Sequence, residues 1–130
     1  MKKILLSAIL AFATHSAYAV DCNNAMTQAD INQCAGAEYK KSDVQLNKVY
    51  KQVIGKVDPS QQLQLKTAQN AWIKFRDADC AFQTAAVEGG SLYATVLTGC
   101  LEAKTATRTK ELATFLHCKE GDSTCVFSAN

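Results

Sequence analysis

The chain is short of the groups that catalysis usually draws on. Histidine, the commonest general base, occurs only as His15, just after an N-terminal apolar run, and His117, near the C-terminus. A nucleophile needs a base set against it, and His117 has only Cys118 beside it. No Gly-x-Ser-x-Gly, phosphate-binding loop or Cys-x-x-Cys occurs, which removes the usual signs of a serine hydrolase, an NTPase or a dithiol oxidoreductase. Asp77 and Asp79 are two apart, so on a helix they do not face each other as a working pair. An enzyme is not expected, nor a cofactor.

Charge of one sign is missing as well. The 130 residues carry 14 Lys+Arg against 12 Asp+Glu, and without Lys2 and Lys3 the balance is 12 against 12. A neutral chain offers no electrostatic case for nucleic acid or for an anionic membrane surface. Long hydrophobic runs are absent apart from Ile4 to Ala13. That run follows Lys2 and Lys3 and precedes Ala17-Tyr18-Ala19, the pattern of a secretory signal, too short for a membrane span. Residues 1–19 are therefore read as a cleaved signal peptide and 20–130 as one helical domain. Asp21 stands before Cys22 where a lipidation site would need a small uncharged residue, so the product is expected to be soluble, periplasmic or secreted, without stable membrane insertion.

What the chain does have is cysteine. Cys22, Cys34, Cys80, Cys100, Cys118 and Cys125 all follow the signal, and an even number in an exported chain reads as a disulfide framework. Six cysteines permit fifteen pairings, and spacing alone does not select one. Nearest-neighbour pairing, 22–34, 80–100 and 118–125, is preferred. The middle pair is the best argued. Gly90 lies ten residues from each of Cys80 and Cys100, so in a helical hairpin turning at Gly89-Gly90 both cysteines stand about 15 Å from the turn, opposite one another. His117 with Cys118 and Cys125 could be pictured as a metal site. In an oxidising compartment a disulfide with a helix-end histidine is the better reading, and no metal is expected.

Three helices follow from the periodicity. Thr27 can cap a first helix in which Ala35, Tyr39, Ser42, Leu46, Val49 and Val53 form the seam. Gly55 to Pro59 breaks it, with Asp58-Pro59-Ser60 as a turn. A second helix from about Ser60 to Val87 has Leu65, Ala68, Trp72, Phe75, Asp79 and Phe82 at steps of three and four. Glu88-Gly-Gly-Ser91 ends it, with Ser91 able to cap a third helix from roughly Leu92 to Leu116. There Leu97, Leu101, Lys104, Arg108, Leu112 and Phe115 lie near one face. Cys118 to Cys125 closes a small loop around a Gly-Asp turn. The fold class is all-α: a three-helix, up-down-up antiparallel bundle stapled by disulfides.

Hairpin register then predicts a polar layer. Folding about Pro59 brings Asp43 to residues 72–76, and folding about Gly89-Gly90 brings Trp72 to Arg108 and Arg76 to Lys104. Asn47 and Gln69 should meet one turn along, with Tyr50 on the same ridge. Such a layer can be a recognition site or a paired network that fixes helix register. Charges near a core must be paired, and the packing role is the reading adopted for Asp43, Asn47, Gln69, Trp72, Arg76 and Arg108. The hairpin tip, Glu88-Gly89-Gly90-Ser91 with Tyr93, has the better claim to contact a partner. It joins bare backbone, a hydroxyl, a carboxylate and a phenol on a stapled support, although a well-capped connection would look the same.

Asp43-x-x-Leu46-Asn47-x-x-Tyr50, Leu65-Lys66-x-Ala68-Gln69-x-Ala71-Trp72-Ile73-x-Phe75-Arg76-Asp77-x-x-Cys80, Gly89-Gly90-Ser91, Cys100 and Thr107-Arg108-x-x-Glu111-Leu112 together resemble the LprI-like family of exported bacterial proteins. The resemblance covers about residues 22 to 116 and leaves the Cys118 to Cys125 loop outside. It implies a small helical envelope protein, in a family named for a member that inhibits lysozyme. The expected function is steric occlusion of a muramidase, with lysozyme as partner. The alternative is a non-catalytic envelope module that binds another periplasmic protein or cell-wall material.

Overall fold

The computed structural model describes residues 19–119, 121–123, 125 and 126. The proposed signal segment therefore lies outside the described residues, except for Ala19. Three long helices form the domain: α1 (Gln28–Ile54), α2 (Pro59–Thr84) and α3 (Tyr93–Thr114). Short 3-10 turns, Ala85–Val87 and Phe115–His117, extend the last two. No strand occurs among the described residues, and none of their helices is long and apolar enough to cross a membrane.

Local chemistry sets the helix starts. The Thr27 hydroxyl accepts from the Asp30 amide at 3.1 Å, with Asp30 in the first turn where a negative charge is favoured. At α2, the Asp58 carboxylate accepts from the amides of Ser60 and Gln61. The Gln61 side chain answers by accepting from the Asp58 amide, a reciprocal cap with Pro59 at the first helical position. Ser91 does not cap α3. Leu92 occupies that position without a side-chain bond, and the Tyr93 amide is satisfied by the Gly90 carbonyl at 3.1 Å. A backbone turn has taken the hydroxyl's place. A preceding turn, closed by the Gly90 amide on the Val87 carbonyl at 3.0 Å, contains Gly89, whose φ of 76° favours a residue without a Cβ. α2 stops at Thr84 rather than running on as α-helix to Val87. The Thr84 hydroxyl donates back to the carbonyl of Cys80 at 2.8 Å, and the chain continues as the 3-10 turn Ala85–Val87.

The apolar core occupies one end of the bundle. Leu46, Val49 and Val53 of α1 meet Leu112 of α3, and Tyr50, Leu65, Trp72, Ala113, Phe115 and Leu116 pack around them. Toward the α2–α3 turn the core thins, and covalent and polar ties take over. Cys22–Cys34 braces the start of α1 and Cys80–Cys100 joins α2 to α3. Asn32 donates to the Ser91 carbonyl at 3.1 Å, and Gln28 to Thr95 at 3.2 Å. The third bond, Cys118–Cys125, closes the C-terminal loop, which Gln61 holds against α2 by donating to the Val126 carbonyl at 2.6 Å. α1 packs chiefly against α3, not against α2. Small polar groups such as Ser42 and Thr95 bridge the α1–α3 seam. The inner face of α2 carries Gln69, Trp72 and Arg76, whose bulk sets the spacing of the helices there.

One seam differs from expectation. Of the α2 positions assigned inward, Leu65, Trp72 and Asp79 are half-buried, but Ala68, Phe75 and Phe82 face solvent. Phe75 is 59% and Phe82 80% exposed, while Gln69, Arg76, Cys80 and Thr84 are buried. The disulfide is the reason. Cys80 must point at Cys100, which fixes the rotation of α2. On a helix Phe82 then lies about 200° around from Cys80, and Phe75 about 140°.

Replacing Cys80 and Cys100 together with Ala tests how much of this rotation the bond supplies. It closes a span of 20 residues, for which chain entropy predicts a loss of about 3 kcal/mol in chemical denaturation. A loss below about 1 kcal/mol would show that packing alone fixes α2.

Candidate functional site

Arg76 is the deepest charge in the described structure. The residue is only 6% exposed, yet it sits where three helices meet. Its Nε and Nη2 both reach the Asp77 carboxylate at 2.8 Å, and Nη1 donates to the Thr105 hydroxyl at 3.3 Å. Asp43 of α1 stands 3.9 Å from Nη1. The flat guanidinium lies between two rings, 5.2 Å from Trp72 and 5.6 Å from Tyr39, so cation–π attraction replaces part of the lost hydration. Burial, acting first, raises the Tyr39 phenol above its ordinary pKa, against the opposing pull of the Arg76 charge.

Neighbouring contacts extend this layer. Arg108 stands 5.9 Å from the Trp72 ring, donates to Gln69 Oε1 at 3.1 Å and pairs with Glu111. Lys104 does not reach Arg76's partners. It pairs with Asp79 at 2.5 Å and lies 5.3 Å from the Phe75 ring. The lysine's hydrogen bond holds the Asp79 carboxyl below the ordinary aspartate range. Asn47 and Gln69 line the same hollow but do not bond one another. Asn47 donates to Asp43 on its own helix, and Gln69 is taken by Arg108. Asp43, Trp72, Arg76 and Arg108 thus come together as the hairpin register indicates. Tyr39 and Thr105 belong with them and were missed. Tyr39 lies one turn before Asp43, and the Cys80–Cys100 register puts residue 105 beside the position opposite Arg76, so both were within reach of the same argument.

Between α1 and α2 this layer opens into a cleft of about 220 Å³ lined by Asp43, Leu46, Asn47, Tyr50, Lys66, Gln69, Asn70, Ile73 and Arg76. The Gln69 amide nitrogen has no hydrogen-bond partner among the described residues. No fully buried side-chain nitrogen or oxygen there is left unsatisfied, so this nitrogen is open to the cleft. A second hollow, about 260 Å³ and mainly apolar, is lined by Val53, Val57, Gln61, Gln64, Leu65, Ala68, Arg108, Phe115 and Val126.

The hairpin tip is a separate surface. Glu88, Gly89, Gly90 and Ser91 are exposed, and Tyr93 is half-buried at the start of α3. Leu92, which sequence reasoning passed over, is 51% exposed between them. The Ser91 carbonyl is held by Asn32 of α1, so the tip rests on the brace of Cys22–Cys34 as well as on Cys80–Cys100. His117 is exposed, and its neighbour Cys118 is joined to Cys125, so those sulfurs are committed to each other.

The residues that build the Arg76 layer and the tip fall inside a match to a known family, described as Lysozyme inhibitor LprI, over residues 21–112. This chain belongs to the LprI family. The match takes in all of α1 and α2 and nearly all of α3, and ends before the Cys118–Cys125 loop. The chain is also similar to an uncharacterized protein, R02472, of Rhizobium meliloti (strain 1021). They are 33% identical over 113 residues, covering 77% of this chain and 81% of the relative. No solved structure matches. LprI is an inhibitor family by description, and Trp72 and Arg76 of the layer lie within the matched residues.

The Arg76 layer is testable as a packing device. Arg76→Ala, which removes the stem, both ring contacts and the Thr105 bond, should cost about 2–4 kcal/mol in urea unfolding. Arg76→Met keeps most of the volume and removes the buried charge, so it should cost less than half as much. Equal losses in the two variants would show that the charge, not the filling, is what matters.

Proposed function

We propose that this protein is a periplasmic or secreted lysozyme inhibitor that acts by steric occlusion, and that its N-terminal 19 residues direct export and are removed. Membership in the LprI family carries the reading. The contact surface proposed is the α2–α3 tip, with Glu88, Gly89, Gly90, Ser91 and Tyr93 entering the partner's cleft and Leu92 adding apolar area. The tip supports this role because it is exposed and braced on two disulfides. A rigid loop loses little conformational freedom on binding, so more of its contact energy appears as affinity. No bond in the partner need be made or broken by this chain: occupying the cleft is sufficient.

The expected result is protection of bacterial cells from lysis by at least one lysozyme class, chicken-type or goose-type, at micromolar protein. Tyr93→Ala should weaken inhibition by about tenfold or more, as truncating an interface aromatic commonly does, and Ser91→Ala less. Absence of protection against every lysozyme class would remove the reading. Protection that survives both substitutions would move the contact away from the tip.

A second reading rests on the cleft between α1 and α2. Its open Gln69 amide nitrogen, together with Tyr50 and Lys66, offers unpaired polar groups around an apolar floor of Leu46 and Ile73. That arrangement suits a polar cell-wall fragment held by a non-catalytic envelope module. Soluble peptidoglycan fragments should then shift the amide NMR signals of residues 43–50 and 66–76, with the shifts lost in Tyr50→Phe combined with Lys66→Ala. No shift at millimolar fragment would exclude this reading and leave the inhibitor reading untouched.

A further inference from the structure

An apolar period along α2 points away from its own core. Ala68, Ala71, Phe75, Ala78, Phe82 and, at the C-terminal cap position, Ala85 advance by alternating steps of three and four, the spacing of a helix-pairing seam. All six are exposed. Phe82 is 80% exposed, and Phe75 is covered on one side only, by the Lys104 ammonium. Polar residues normally occupy the solvent face of a bundle helix, and an exposed aromatic seam bordered by the Lys104–Asp79 pair has the make-up of an interface core with a polar rim.

The order of large and small residues identifies the occupant. We propose that this face pairs α2 with α2 of a second copy of the chain, antiparallel, about a twofold axis between residues 75 and 78. In that register Phe75 lies over Ala78 of the second copy, Ala71 over Phe82, and Ala68 over Ala85. Each ring meets an alanine, no two rings collide, and the same patch serves both copies, as a closed twofold interface requires. The flanking charge agrees with this register. Lys74 falls level with Asp79 of the second copy, so no like charges share a level. From residue 68 to 85 the seam is about 27 Å long, and one helix pair buries less than the roughly 800 Å² per partner of a standard stable interface. The dimer is therefore reversible, and it leaves both hairpin tips uncovered by the seam itself.

Sedimentation equilibrium of the oxidised, full-length protein from low micromolar to millimolar concentration tests this. A monomer–dimer equilibrium is expected. Phe82→Glu should abolish it while leaving helical circular dichroism unchanged, because the side chain touches no core residue. Ala71→Phe alone sets ring against ring and should weaken dimerisation by about tenfold, a change of about 1.4 kcal/mol. Ala71→Phe combined with Phe82→Ala exchanges large for small in the same layer and should restore it. A monomer at every concentration, a dimer indifferent to Phe82→Glu, or a double variant no better than Ala71→Phe would each overturn the proposal.

Discussion

A buried guanidinium has to be matched on every side at once, and in this protein that demand falls on Arg76. Its charge can be left in a three-helix junction only because Asp77 lies beside it, Asp43 faces it from α1, Thr105 accepts from it on α3, and two rings cover its faces. Each helix supplies at least one of these groups. A shift of any helix by one turn would separate the arginine from a partner and leave an expensive charge in a small domain. The layer therefore fixes register in all three helices.

The disulfides act on a different degree of freedom. Arg76 sets how far the helices slide, whereas Cys80–Cys100 sets how α2 is rotated. The apolar core, gathered around Leu46, Val49, Val53 and Leu112, lies at the end remote from the tip. At the tip end there is little hydrophobic burial to hold the helices, and Cys22–Cys34, Cys80–Cys100 and the Asn32–Ser91 bond replace it. A rigid, exposed tip is a direct consequence. So is the outward apolar face of α2, because the rotation that aligns the cysteines turns Phe75 and Phe82 away from the core.

These two constraints separate the parts of the molecule. The α1–α2 cleft, the hairpin tip and the outer face of α2 lie in different places and can serve different contacts without competing. The groups that hold the fold together, Arg76, Trp72 and Arg108, are largely turned inward. The free polar and aromatic groups lie at the three surfaces. For a protein whose proposed work is to bind and not to react, rigidity of the support contributes more than any single functional group.

Sequence alone determined the helix start at Thr27, the turn at Asp58-Pro59-Ser60, the three-helix order and the pairing of helix levels. These follow from local rules: caps, a proline turn, and a fixed rise per residue on either side of two short loops. The polar layer was legible for the same reason, since hairpin register is arithmetic once the turns are placed. Rotation about each helix axis was not. Ala68, Phe75 and Phe82 form as good an apolar period as Leu65 and Trp72, and hydrophobicity by itself cannot say which of two stripes faces inward. Ser91 as a cap failed similarly, because a backbone turn from Gly90 to Tyr93 took the place of its hydroxyl. Only the tertiary structure decided these points. The covalent bond at Cys80 and the demand for partners at Arg76 act across helices, and no local pattern contains them.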